Sequence, residues 1–248
     1  MSARGAITLV FSLLALAGCG GDGGSPPTET IATTPAVIEP TGPVYEPAPG
    51  ARKALEEFVQ AAGRRDCKAM FDLLTIRSKA RWGPTEQDFC RDAGRRIGNA
   101  VGEFVRLGKY EHVLDAQVSA GWAAAAIAGY IDHGKDRRYG GYALPARIEG
   151  GEWKLEPEGT VTFNPLTPDP DLTANSKPNV SAEVAAAEPV LADALWVDGQ
   201  SVKADLSPDE SFLSSQIATS LSPGRHSIVT FGETESSAGA LAWVFQVK

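Results

Sequence analysis

Glu149-Gly150-Gly151-Glu152-Trp153-Lys154-Leu155 (EGGEWKL) is the stretch on which the reading of the fold turns. Two adjacent glycines between charged residues offer the positive φ that a tight hairpin needs, and Trp-Lys-Leu behind them opens a strand. A hairpin requires a strand in front of it, which Tyr139 to Ile148 supplies. Further upstream, Tyr110 to Ala120 and Trp122 to Ile131 are rich in aromatic or branched residues and are separated by short polar or Gly-bearing turns. Ala123 to Ala128 would suit a helix by propensity alone. Its flanks Trp122, Tyr130 and Ile131, and its place between strands, make it a strand.

Upstream of Gly108 the period changes. Leu55, Phe58, Val59 and Ala62 recur at spacings of three and four within Arg52 to Arg64, with Arg52, Lys53, Glu56 and Glu57 elsewhere, which predicts an amphipathic helix. Asp66 is placed to cap a second helix with Met70, Phe71 and Leu74 on its face. Thr85, with Asp88 three positions on, imitates a capping box for a third helix that carries Phe89, Ala93 and Ile97 inward.

Three helices followed by an antiparallel sheet that closes on EGGEWKL resemble the nuclear transport factor 2-like fold, the cone also used by ketosteroid isomerases. The resemblance covers 51–158 and implies an α+β cone, three helices on a curled antiparallel sheet, with an open-ended cavity that unrelated proteins use for catalysis, small-molecule binding or pairing. Fold alone therefore leaves function open.

From Thr160 on, helical periodicity is lost. Asn164 to Asn179 holds Pro165, Pro168, Pro170 and Pro178 and reads as an extended lead-in. Strand-like pieces follow at Val180 to Ala186, Ala194 to Val197, Ser211 to Ala218, His226 to Phe231 and Leu241 to Val247, with turns at Asp198-Gly199 and Pro223-Gly224. LWVDGQSV (Leu195 to Val202), LSPGRHSIVTF (Leu221 to Phe231) and AWVFQV (Ala242 to Val247) resemble bacterial Ig-like repeats of surface proteins. The resemblance implies an all-β sandwich over 160–248, with His226 at a structural position.

The N-terminus carries Arg4, an apolar run from Ala6 to Ala17, then Gly18 and Cys19. A membrane-spanning helix needs roughly 20 apolar residues, so this run has the length of a signal-peptide core instead. Leu16-Ala17-Gly18-Cys19 resembles the lipobox of bacterial lipoproteins, which implies removal of residues 1–18 and acylation of Cys19 by groups such as palmitate. Two or more acyl chains hold a protein stably at a bilayer. Residues 19–50, dominated by Gly, Pro, Thr, Ser and Glu, cannot bury enough apolar surface to offset the entropy of ordering and read as a tether.

Net charge is −8. Residues 51–109 hold 13 Lys+Arg against 8 Asp+Glu, whereas residues 110–248 hold 9 against 19. An acidic exported chain without a basic, aromatic stripe is not built for nucleic acid. Once Cys19 is assigned to lipid, Cys67 and Cys90 remain, an even pair that an oxidising compartment should join. His112, His133 and His226 are far apart in sequence, and no HExxH, CxxC, Walker loop or GxSxG is present, so neither a metal nor a cofactor is expected. Trp122, Trp153, Trp196 and Trp243, one per strand, are expected in cores.

One group could carry chemistry if the cone keeps a pocket: Tyr110, Tyr130, Asp132 and His133, a carboxylate beside phenol donors as in proton abstraction next to a carbonyl. Asp132 and His133 equally fit a solvated hairpin tip. The expected function is thus a lipid-anchored, extracytoplasmic binding or scaffolding module of the bacterial envelope, with a protein or glycan partner. The alternatives are an isomerase- or cyclase-like enzyme, or a lipophilic carrier using the cone. Chain order places the α+β domain nearest the membrane, with the sandwich beyond it.

Overall fold

A computed structural model describes residues 38, 40–82, 84–106, 108–132, 137–157, 159–170 and 172–248, apart from the side chains of Asp132 and Arg137. The signal segment, Cys19, His133 and the first part of the expected tether lie outside the described residues.

The chain begins with a short strand, β1 (Glu46–Pro47), followed by α1 (Pro49–Arg64). Proline stands in the first turn of α1, where its missing N–H costs nothing, and Arg65 closes the helix in the left-handed conformation (φ 59°). The expected stripe of Leu55, Phe58, Val59 and Ala62 is fully buried. Asp66 caps α2 (Cys67–Asp72), accepting from the Ala69 N–H at 3.0 Å. A helix not foreseen, α3 (Ile76–Trp82), follows Thr75, whose hydroxyl accepts from the Ser78 N–H at 3.1 Å. Thr85 caps α4 (Glu86–Arg91) by accepting from the Asp88 N–H at 3.2 Å and donating to Asp88 Oδ2 at 2.7 Å. α5 (Ala93–Arg106) completes the layer.

The described residues thus hold five helices rather than three. The expected third helix is broken at Asp92 (φ −131°, ψ −72°), and the break brings Gly94 against Phe89 and Cys67 so closely that a Cβ there would lie 2.7 Å from the Phe89 ring. Cys67 and Cys90 are joined, with Cα atoms 5.4 Å apart, stapling α2 to α4. Closing a loop with sequence separation 23 contributes about 3 kcal/mol in the chain-entropy treatment.

Four strands follow: β2 (Gly108–Gln117), β3 (Ala123–Asp132), β4 (Arg137–Glu149) and β5 (Glu152–Leu155). They form an antiparallel sheet in the order β1-β2-β3-β4-β5, curled into a half-barrel around the helices. A bulge between His112 and Leu114 bends β2. Gly150 (φ 62°) and Gly151 (φ 84°) form the expected hairpin turn. The alanine-rich segment is strand throughout.

The remaining chain supplies β6 (Val161–Thr167), β7 (Thr173–Ala174), β8 (Asn179–Ala186), β9 (Ala192–Val197), β10 (Gln200–Val202), β11 (Asp205–Leu206), β12 (Phe212–Gln216), β13 (Gly224–Glu233) and β14 (Ala238–Val247). A second sheet has the order β10-β9-β13-β14-β7 and a third β11-β12-β8-β6. Among the described strands of these two sheets, pairings are antiparallel except β14 with β7. β6 occupies part of the expected proline-rich lead-in; Pro165 is tolerated there because β6 is an edge strand, with an irregularity between Pro165 and Thr167.

Three apolar layers separate the four layers of structure. The first lies between the helices and the concave side of the curled sheet, with Phe58, Met70, Phe89, Ile127 and Leu155 at its centre. The second lies between the convex side and the second sheet, joining Leu114, Trp122, Ala124, Ala126 and Ala143 to Trp196, Val229, Phe231 and Ala242. The third lies inside the sandwich, with Leu195, Val197, Ile228, Trp243 and Phe245 from one sheet and Val180, Ala182 and Leu213 from the other. In β9, Ala194 and Trp196 face the second layer while Leu195 and Val197 face the third. The second sheet is covered on both faces, which is why its strands are continuous apolar runs. Trp122, Trp196 and Trp243 are buried, and Trp153 is half-buried against the first layer.

The segment expected to remain a tether through Gly50 is packed from Ile38 onward among the described residues. Ile38 lies in the third apolar layer, 3% exposed. Thr41 and Gly42 donate backbone hydrogen bonds to the Ser201 carbonyl, and Thr41 Oγ1 accepts from the Lys203 N–H. Tyr45 packs on Trp196 with ring centroids 5.2 Å apart, Glu46 and Pro47 pair with Gln117 and Ala116, and the Ala48 N–H donates to Asp115 O. From Ile38 to Ala48 the described chain thus runs as a strap from the sandwich interior past the second sheet and the curled sheet to the start of α1. Composition hid this, because one isoleucine and one tyrosine do the holding.

Candidate functional site

Tyr110 and Tyr130, expected to share a pocket, do not meet. Tyr110 pairs with Gly129 and Lys109 with Tyr130, and paired residues share a face, so the two tyrosines stand on opposite sides of the sheet. Tyr110 is on the helix side, where its hydroxyl oxygen lies 2.6 Å from the donor Gln60 Nε2. Tyr130 lies beside Tyr139 (centroids 5.6 Å) on the convex side, where the Arg225 guanidinium of β13 covers the Tyr139 ring at 3.2 Å. Tyr110 and Tyr130 therefore do not line one pocket. His133 and the Asp132 side chain fall outside the described residues.

Where the sequence pointed to that pocket, the helix side of the sheet holds a polar seam instead. Arg52, Glu56 and Gln60, spaced by one helical turn along α1, run beside Asp115, His112 and Tyr110 of β2. Arg52 Nε bonds Glu56 Oε1 at 2.8 Å, and His112 Nε2 lies 3.4 Å from Asp115 Oδ1. Burial and the Arg52 charge lower the His112 pKa against the opposing pull of Asp115, so the imidazole is neutral near pH 7. A neutral imidazole beside a carboxylate is the pairing of a general base. Both ring nitrogens are nevertheless sealed from solvent, so no substrate reaches them in this conformation. The i, i+4 spacing of Arg52, Glu56 and Gln60 was legible in the sequence; their register against β2 was not.

Two further titratable groups are enclosed. Glu156 is 1% exposed, accepting from Ser237 Oγ at 2.6 Å and from Thr75 Oγ1 at 3.3 Å. It ties the start of α3 to the β13–β14 turn, where Arg77 also donates to the Ser236 carbonyl. Burial raises its pKa, opposed by the Ser237 bond, the Arg77 charge and the Thr75 bond. His226, 4% exposed, lies between Asp198 Oδ2 (2.6 Å from Nδ1) and the Ser222 carbonyl (2.8 Å from Nε2). These contacts tie the start of β13 to the β9–β10 turn.

An open groove of about 380 Å³ runs between the end of β8 and the turn before β12, lined by Val184 to Pro189 with Asp209, Glu210 and Ser211. Its rim is acidic. Glu210 Oε2 accepts from the Val190 N–H and Glu188 from Ser236, so both carboxylates hold the loops in place. Among the described residues no group of three or more His, Cys, Asp or Glu could hold a metal ion, and no helix is long and apolar enough to cross a membrane.

Fold and sites together define an α+β protein: a disulfide-stapled helical layer on a curled half-barrel sheet, continued by further antiparallel sheets. No protein-family model matches the chain, and no curated protein matches it.

Proposed function

We propose that the protein is an extracytoplasmic lipoprotein of the bacterial envelope, anchored through acylated Cys19, whose folded part is a binding or scaffolding module. In this reading the helices and curled sheet are a nuclear transport factor 2-like cone, and the two later sheets are a bacterial Ig-like sandwich. The observation that carries it is the strap: from Ile38 to Ala48 the described chain is pinned from the sandwich interior across the second and curled sheets to the start of α1, so the folded part is held together as one body. Such a body presents a fixed surface, which is what recognition of a partner requires. Packing also favours binding over turnover. The concave side of the sheet is filled by Phe58, Met70, Ile127, Leu144 and Leu155, each at most 3% exposed, and the Tyr110 hydroxyl is engaged by Gln60.

The test has two arms. Cells expressing the full chain and fed labelled palmitate should incorporate it in the native protein but not in Cys19→Ser, which should leave the membrane fraction. Cross-linking the lipidated, folded protein in intact envelopes should then capture a defined protein or glycan; recovering neither would overturn the module reading while leaving the anchor intact.

A further inference from the structure

We propose that the outer face of the third sheet binds a neutral polysaccharide, with Phe212 as the ring on which a sugar stacks. The proposal rests on the binding-module reading above and deepens it by naming the partner's chemistry and its seat. Layer order singles out this face. The curled sheet is covered by the helices on one side and the second sheet on the other, and the second sheet is covered on both faces in turn. Among the described residues, only the third sheet (β11-β12-β8-β6) leaves a whole face uncovered. Its inward residues Val180, Ala182, Val184 and Leu213 are buried, and alternation along the strands sends their neighbours outward. Register sets these in rows: Asn164, Glu183 and Phe212 lie side by side, and Thr167, Ser181 and Ser214 form the next row. Asn164 Nδ2 donates to Glu183 Oε2 at 3.5 Å, the Thr167 and Ser181 hydroxyl oxygens are 2.7 Å apart, and Phe212 is 45% exposed.

Composition decides what fits there. β6, β8, β11 and β12 contain neither Lys nor Arg. A phosphate- or sulfate-bearing polymer, or an anionic headgroup, draws its affinity from those cations. Protein interfaces are enriched in aromatic residues, Met and Arg and depleted in Ser, Ala and Glu, whereas this face is built from Ser, Thr, Asn, Ala and Glu around a single ring. Hydroxyl and amide groups donate and accept, and a carboxylate accepts, which matches the hydroxyl rim of a sugar. The bare Phe212 ring matches the C–H face of a pyranose. Such groups repeat at about 4.8 Å across the strands and about 7 Å along them, so successive sugars of an extended chain meet equivalent partners. The row of Glu183 and Phe212 also adjoins the acidic groove, since Val184 and Ser211, next to them in the chain, are part of its lining. At about 380 Å³ that groove has the size of a small-ligand site and seats the end of the chain. The helical surface offers nothing comparable, because its charges pair with one another, Arg52 with Glu56 and Lys68 with Asp72.

Calorimetric titration of the full lipidated chain with chitohexaose, cellohexaose and heparin tests this. At least one of the two neutral hexasaccharides should bind, and heparin should not. Phe212→Ala should weaken the binding by about tenfold, while Phe212→Tyr, which keeps the ring, should leave it largely intact. Ser214→Arg puts a long side chain across the middle of the face and should abolish binding, whereas Glu57→Ala, exposed on α1, should change nothing. No binding of either neutral hexasaccharide, binding of heparin in their place, or binding that survives both Phe212→Ala and Ser214→Arg would each overturn the proposal. The module reading outlives such a result if cross-linking in envelopes still captures a protein. Capture of no partner at all would sink the module reading itself.

Discussion

At His226 both ring nitrogens meet acceptors, a carboxylate on one side and a carbonyl on the other, an arrangement that favours the doubly protonated ring. Burial alone pushes its pKa down, but the Asp198 bond, the Ser222 carbonyl and the Asp198 charge together raise it above 6.5. A raised folded-state value means the stabilisation is fully present below 6.5 and is lost as pH rises through the folded value. Asp198→Asn, chosen because asparagine tolerates the φ of 49° there, should bring the His226 pKa below that of an exposed histidine and cost about 1–3 kcal/mol. Titration of the His226 ring by NMR checks this, and an unshifted curve would contradict it. Glu156 acts in the same direction over a lower range. Because burial raises its pKa above 4.5, its favourable contribution is complete below that pH and fades as pH climbs through the raised value. Melting curves of Glu156→Gln should therefore lack part of the decline that the native chain shows from pH 4.5 toward neutrality. Parallel pH profiles for the two proteins would be the wrong outcome.

β3 shows what an element gains from being covered twice. Ala123 and Ala125 face the helical layer while Ala124 and Ala126 face the second sheet, all fully buried. Small side chains on both faces let the neighbouring layers approach, and this overrides the helix preference of an alanine run. Ala124→Leu and Ala125→Leu should each cost about 1–3 kcal/mol by overpacking, one against each neighbouring layer. A strand buried on a single face would show the loss at only one of the two positions, and denaturant titration separates the cases. The helices were legible wherever a cap and a stripe coincided, as at Asp66 and Thr85. The break at Asp92 was not, because nothing local forbids helix there; the close approach of Gly94 to Phe89 and Cys67 is a tertiary demand. α3 begins at a Thr75–Ser78 pair, a weak cap signal set between two helix faces.

For the whole molecule the deciding feature is the middle apolar layer, to which the curled sheet contributes Trp122, Ala126 and Ala143 and the second sheet Trp196, Phe231 and Ala242. Bodies that share such a core should not unfold separately. Calorimetry of the residue 38–248 portion with the disulfide intact should give one transition with equal calorimetric and van't Hoff enthalpies, and two resolved transitions would refute the coupling. The strap reinforces it by joining the sandwich interior to the start of α1.

Sequence by itself determined the helices-then-sheet order, the strand identity of the alanine run, the Gly150–Gly151 hairpin, the Cys67–Cys90 pair and the core placement of the tryptophans. All of these follow from local chemistry: periodicity, capping, turn glycines and the parity of thiols. Only the tertiary structure decided that Tyr110 and Tyr130 face apart, that the second sheet is covered on both sides, and that Ile38 anchors a strap across the layers. Each of those depends on register or on contact between segments far apart in the chain. A one-residue difference in pairing turns a side chain to the other face without leaving any mark in composition.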